Sequence, residues 1–468
     1  MTNIDAVIRA LGKLGLAATQ APSITLVHEI DARKSLMILP FEDLSPTGDN
    51  QWFADGLATE LINSLSPIKA LRVSDHQATK DYKRYQGSLP NYAKEMSIRY
   101  FTQGQVRKFG DQIKISVTLL DIESGDHLWQ DSLKGTMNDV FDIQEQVAEK
   151  VVEGLKAHLA SEEKHKLTER GTENAEAYEL YLKANGYFQR QTAEGYRLAV
   201  QQLSLAITLD PNYADALQTK AFALAYLYRM YDRDTKLLIE AEDLVHRALA
   251  IRPDHWYTYN VLAAVYLYQG RLEEAEEAAK RFVQHDPENP SSHFGLGLFY
   301  AQTNQMDLAI EAWEKMLALS PEDRTAYLNL AIASDRTHDA AGATKWSRAA
   351  LSRFERRLRL VPDDETARVN YATLLRHANE PEKAILALAP LRDKQDLDAN
   401  SLFNMGCLYA RLNDPERALE AIRRSVAAGF AGSDYFLADP DLDSLRGMPE
   451  FQELVRGLEA QQEANKGS

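Results

Sequence analysis

"NVLAAVYLYQGRLEEAEEAAKRFVQHDP", residues 260–287, carries the pattern that decides the fold of this 468-residue chain. Apolar residues recur at helical spacing in two runs, with Ala263 in the first, Ala275 in the second and Pro287 behind both. Two antiparallel helices approach closely only where both carry small residues, and a proline ends the second before the next begins.

The pattern repeats in both directions. Small residues stand at 184, 221, 263, 297, 331, 372 and 406, with gaps of 37, 42, 34, 34, 41 and 34. Ala199, Ala241, Ala275, Ala309, Ala350, Ala384 and Ala418 mark the second helices, and Pro211, Pro253, Pro287, Pro321 and Pro362 close most units. Seven such units predict a stacked array of helix pairs. The longer gaps, at "YRMYDRDTKLLIE" and around "RTHDAAGATKWSRA", imply elongated helices or loops.

Upstream the hydrophobic period switches back and forth. "SLMILPF", "LRVSD", "RYFTQGQVRK", "QIKISVTLLDI" and "HLWQDSLKG" read as strands; "WFADGLATELINSL", "YAKEMSI" and "FDIQEQVAEKVVEGLKAHL" read as helices. Gly110-Asp111 and Ser124-Gly125 supply tight turns for a meander, and Ile113, Ile115, Val117 and Leu119 alternate with polar residues. The expected organisation is an extension (1–34), an α/β domain with a mixed sheet (35–160), a charged connector (161–175), about seven helix pairs in an all-α superhelix (176–430), and a closing segment with a capping helix (431–468).

Composition narrows the function. Lys plus Arg number 53 against 69 for Asp plus Glu, a formal charge of -16 that is the wrong sign for a main partner such as nucleic acid. One cysteine, Cys407, supplies neither an internal disulfide nor a redox pair. Arg9, Lys13 and Pro22 interrupt the early apolar stretch, so a secretory signal and a membrane span are not expected, and the location read from this is cytoplasmic.

The array resembles the tetratricopeptide repeat (TPR). The first domain, through "LPF", "FADGL", "GQVRKFGDQIKISVTLLDIESGDHLW" and "FDIQEQVA", resembles the TolB-amino-terminal-like domain of bacterial signalling proteins, which often precedes TPRs and follows a cyclase or winged-helix domain. Only 34 residues precede Ser35 here, so the resemblance implies that such a catalytic or DNA-binding partner is a separate chain or absent.

The loop in "MILPFEDLSPTGDNQWFADGLATEL" (37–61) sits where nucleotide sites often begin. A phosphate cradle needs converging backbone N–H groups, yet this loop has Gly48 alone and carries Glu42, Asp43 and Asp49. Asp49 or Asn50 is expected to cap the following helix, whose buried stripe would be Trp52, Phe53, Leu57, Leu61 and Leu65. Asp439, Asp441, Asp443 and Glu450 match calcium-loop positions 1, 3, 5 and 12, but Ser444 replaces the required glycine. His158, Glu162 and His165 read as a solvated connector. Neither a metal, a cofactor nor a catalytic group is expected.

The array offers a groove instead. In TPRs the first helix of each pair lines the concave face, which places Asn329, Asn370 and Asn404 at one repeat position, with Arg336, Arg376 and Arg411 nearby. Asparagine amides hold extended peptide backbones and arginines grip carboxylates. Tyr257, Tyr268 and Phe294 add aromatic anchors. These nine residues are the expected peptide-binding site of a non-catalytic adaptor with a protein or peptide partner, homo-oligomerisation through the α/β domain being allowed. The alternative is a ligand-sensing regulatory subunit acting on a separate cyclase or transcription regulator.

Overall fold

The computed structural model describes residues 33–466 except 47, 161, 162, 165, 166, 168, 169, 189, 191, 431–435 and 438, with side chains to residue 460. The N-terminal extension up to residue 32 lies outside the described residues, as do Glu162 and His165.

The first domain is a mixed sheet of β1 (Lys34–Ile38), β2 (Glu42–Asp43), β3 (Leu71–Val73), β4 (Tyr100–Phe109), β5 (Gln112–Asp121) and β6 (Asp126–Thr136), in the order β3-β1-β4-β5-β6 with β2 also on β4. β1 runs parallel to β3 and β4, and β4-β5-β6 is the expected antiparallel meander. Gly110 (φ 59°) and Gly125 (φ 76°) occupy the left-handed positions of its turns. Four helices pack on it: α1 (Gln51–Leu65), α2 (His76–Arg84), α3 (Leu89–Met96) and α4 (Val140–Gly154). Ile113, Ile115, Val117 and Leu119 face α1 and α4 as their alternation requires, while Met37, Leu39 and Phe101 face Tyr92 of α3.

The opening loop is a connector held by Asp43 and not by the expected cap. Its carboxylate accepts from Ser45 N (2.8 Å) and Asn50 N (2.7 Å), and Asn50 stands at the N-cap with its side chain bonded to Asp49 (2.9 Å) and not to the helix N–H groups. The buried face of α1 is wider than the sequence suggests because the helix is sandwiched between the sheet and the array. Trp52 stays half-buried, with the Lys183 ammonium 5.0 Å from its ring centre.

Seven helix pairs follow: α5/α6 (Ala175–Phe188, Ala193–Leu209), α7/α8 (Ala214–Leu227, Thr235–Ile251), α9/α10 (Trp256–Tyr268, Leu272–His285), α11/α12 (Pro290–Gln302, Met306–Leu319), α13/α14 (Arg324–Arg336, Ala340–Leu360), α15/α16 (Glu365–His377, Pro381–Arg392) and α17/α18 (Ala399–Arg411, Pro415–Ala427). All seven first-helix small residues and all seven second-helix alanines are buried. At Gly297 even a methyl would stand 2.3 Å from the Trp313 indole nitrogen, so backbone and ring must meet there. A 3-10 turn (Pro440–Leu445) and α19 (Pro449–Lys466) close the array.

The two long gaps have different causes. Between α7 and α8 the chain makes a π turn (Tyr228–Asp232) and a left-handed step at Arg233. In the other, α14 grows to 21 residues against 14 for α10. Its added turns reach back to the first domain. Leu360 and Val361 pack with Tyr92 and Ala78, Arg356 Nη1 donates to the Glu95 carbonyl (3.3 Å), and buried Arg357 pairs with Asp81 of α2 and, by Nε at 2.6 Å, with Asp364. At the other contact α1 covers α5, where Gly56 admits Leu182 and Gly186 admits Trp52. The α/β domain thus caps the first repeat and braces the fifth, hiding faces that a terminal repeat would otherwise expose.

Candidate functional site: the concave groove

The first helices of the late repeats bring together residues far apart in sequence. Asp335, near the end of α13, lies at the centre. It accepts from Arg376 Nη1 (3.0 Å) and Arg411 Nη2 (2.9 Å), with His377 Nδ1 at 3.7 Å. Asp335, the Arg376–His377 pair and Arg411 come from three successive repeats, because equivalent positions of stacked helices line one face. The closing turn adds Asp439, 3.7 Å from Arg336, and Asp441, 3.5 Å from Arg411 Nε.

The neighbouring His377, followed by the Arg376 guanidinium that donates to it, holds the Asp335 carboxyl well below the usual carboxylate range. Burial and the neighbouring Asp439 push Asp441 up. Burial, with those two aspartates adding, also pushes up the Cys407 thiol.

This corrects one part of the groove reading. Arg336, Arg376 and Arg411 do converge, but on the chain's own carboxylates, so they are not open forks awaiting a ligand. Two of the "DPDLD" aspartates weighed in sequence as a calcium loop, Asp439 and Asp441, join Asp335 as those partners; Asp439 also caps its turn through Asp441 N (3.0 Å), and Asp443 pairs with Arg446 (2.8 Å). A periodic signal pointed to the arginines. Asp335 went unseen because it stands one residue before Arg336 and gains meaning only through the neighbouring helices.

The asparagines stand differently. Asn329 is half-buried and its Nδ2 is shut off from solvent without a hydrogen-bond partner. Asn370 is half-buried and Asn404 exposed. Among the aromatics, Tyr257 is half-buried, edge-on to Phe282 (6.4 Å between centres), and burial raises its hydroxyl pKa. Tyr268 stacks on Tyr228 (6.3 Å), and Phe294 packs in the same apolar cluster. All three therefore have packing partners as well as a part-exposed face.

Across from the first repeats, Glu60 of α1 faces Tyr178, Tyr181 and Asp215. Burial, with Asp215 adding, raises its pKa to about 7. Nothing in the sequence of α1 set Glu60 apart from a solvated helical glutamate.

Comparison with known proteins agrees with this architecture. Tetratricopeptide repeat models match residues 260–324 and 399–428, and a model described as "HilA/YgeH-like transcriptional regulator, second domain" matches residues 32–150. A Rhizobium meliloti (strain 1021) protein named "Putative adenylate cyclase 3" is 26% identical over 252 residues, 53% of this chain and 43% of that protein. The chain thus spans less than half the length of that relative. Among solved structures, a tetratricopeptide repeat protein from Parabacteroides merdae is 16% identical with a TM-score of 0.38, over 61% of this chain and all of that one. The TPR protein TTC0263 from Thermus thermophilus is 21% identical, TM-score 0.34, over 42% and 98%. The human IFIT1 dimer with m7Gppp-AAAA is 14% identical, TM-score 0.44, over 69% and 75%. No described helix is long and apolar enough to cross a membrane. The chain carries tetratricopeptide repeats behind an α/β domain similar to the second domain of HilA/YgeH-like transcriptional regulators.

Proposed function

We propose that this chain is a non-catalytic adaptor of the cytoplasm that holds an extended peptide or protein segment along the concave face of its repeats. The observation that carries this reading is the Asn329 amide, buried and unpartnered at the repeat position that Asn370 and Asn404 share. A buried donor without an acceptor costs stability unless a ligand or water completes it. An extended peptide carbonyl is the right acceptor, and Tyr257, Tyr268 and Phe294 supply apolar anchorage further along. Because the arginines are neutralised internally, they position the helices and do not select for an acidic ligand.

The test is selection of a random peptide library on the wild-type protein. Selected peptides should lose at least tenfold in affinity for Asn329→Ala plus Asn370→Ala, and indifference to that change refutes the reading.

A second reading has its own support. The first domain matches a transcriptional regulator's domain, resembles the TolB-amino-terminal type, and the relative above is named as a cyclase, which fits a regulatory part that senses a ligand for a cyclase or regulator elsewhere. A thermal-shift screen of nucleotides and metabolites separates the two, since a ligand that binds the folded chain raises its melting point by mass action.

A further inference from the structure

The face of the β4-β5-β6 meander turned away from α1 and α4 carries a row of three cations. Arg107 on β4 stands opposite Lys114 on β5, and Lys114 opposite Lys134 on β6. Strands lie about 4.8 Å apart, so the row spans roughly 10 Å, within one Debye length at 0.1 M salt. Like charges directly opposite one another disfavour the sheet. None of the three has an ion-pair partner among the described residues; of the two carboxylates on the adjoining strand β2, Glu42 faces Gln105 Nε2 at 3.4 Å and Asp43 accepts from Ser45 N and Asn50 N.

A local irregularity creates the row. The β5-β6 register shifts by one residue between Leu119 and Leu120, leaving Leu128 as an extra residue. Without that bulge Leu133 would oppose Lys114, and Lys134 would point to the other face. The neighbouring rungs are Gln105–Ser116–Ser132 and Phe109–Gln112–Thr136. Phe109, 74% exposed, and Leu44, 39% exposed, flank the cations on the same face.

We infer that this face is a docking surface for an acidic segment of a partner protein, one that alternates carboxylates with apolar side chains. The three cations take the carboxylates, and Phe109 and Leu44 take the apolar groups. A compact acidic segment fits better than a nucleic acid: the patch is about 10 Å wide on a chain of formal charge -16, so phosphates beyond it meet repulsion. The surface lies outside the concave groove and stands or falls independently of it.

Fluorescence anisotropy with a labelled Glu-Leu-Glu-Leu-Glu peptide tests this on the full chain, with Gln-Leu-Gln-Leu-Gln and a fifteen-residue oligothymidine as comparison probes. The acidic peptide should bind more tightly than either, and more weakly as salt rises. Lys114→Glu plus Lys134→Glu should weaken it at least tenfold while the melting temperature holds. Lys114→Gln plus Lys134→Gln, which adds no charge, gives the same direction if the reversal does not fold. Equal binding by wild type and both variants overturns the proposal. So does tighter binding of the oligothymidine, or a wild-type dimer that both variants dissolve, which would make a second copy the occupant.

Discussion

Arg357→Met tests the brace between the fifth repeat and the α/β domain. Arg357 is 4% exposed and stands between Asp81 (5%) and Asp364 (9%). Asp364 keeps the Ala367 N–H it caps (2.9 Å), and Asp81 keeps Gln77 Nε2 (2.7 Å). What Asp81 loses is its countercharge. Removing one member of a buried ion pair costs about 3–5 kcal/mol because the remaining charge stays desolvated.

Burial already pushes the Asp81 carboxyl up against the pull of Arg357, and without the arginine it rises further. A carboxyl whose folded pKa lies above its unfolded value is stabilising while protonated, and that stability is lost as pH rises through the folded pKa. The penalty of Arg357→Met should therefore be full at pH 7 and shrink toward pH 4. Urea unfolding followed by circular dichroism at both pH values measures it, and adding Asp81→Asn should recover more than half of the loss at pH 7. A penalty under about 1 kcal/mol, within the range of an exposed pair, refutes the argument. A penalty that Asp81→Asn does not relieve refutes it too.

Glu60→Gln should stabilise the chain above pH 7 by about 1–3 kcal/mol, the 1.4 kcal/mol per pKa unit being discounted for the side chain's partial exposure; with a folded pKa of about 7 against 4.5, the gain should vanish by pH 4.5 in parallel urea titrations. Asp335→Asn should cost about 1–3 kcal/mol at pH 7 by stranding Arg376 and Arg411, and since the folded carboxyl titrates below its usual range, the deficit should close only in strongly acidic buffer. Gly297→Ala should cost about 1–3 kcal/mol through overlap with Trp313, less up to about 1 kcal/mol from helix propensity, whereas Gly447→Ala, with open space around it, should stay within about 0.5 kcal/mol by thermal denaturation.

The groove was legible in part. Repeat spacing put the asparagines and arginines on one face, and the structure brings Arg336, Arg376 and Arg411 together as that spacing implies. Their carboxylate partners were not legible, because Asp335 meets Arg376 and Arg411 only across stacked helices, and Asp439 and Asp441 belong to a closing turn outside the repeat pattern. The cation row was half legible: the two-residue turn at Gly110-Asp111 fixes Arg107 opposite Lys114, but Lys134 joins them only because of the bulge at Leu128.

The sequence by itself determined the seven helix pairs and the three-strand meander, since both follow from short-range constraints: a small residue wherever two backbones touch, and alternation wherever one face is buried. Tertiary structure alone decided that α14 reaches back to the first domain and that Arg357 is buried there. It also decided that the groove arginines are neutralised from within. Those outcomes depend on how far the small rotations between successive repeats carry the chain around, and such a sum is fixed by packing across the whole array, not by any stretch of residues within it.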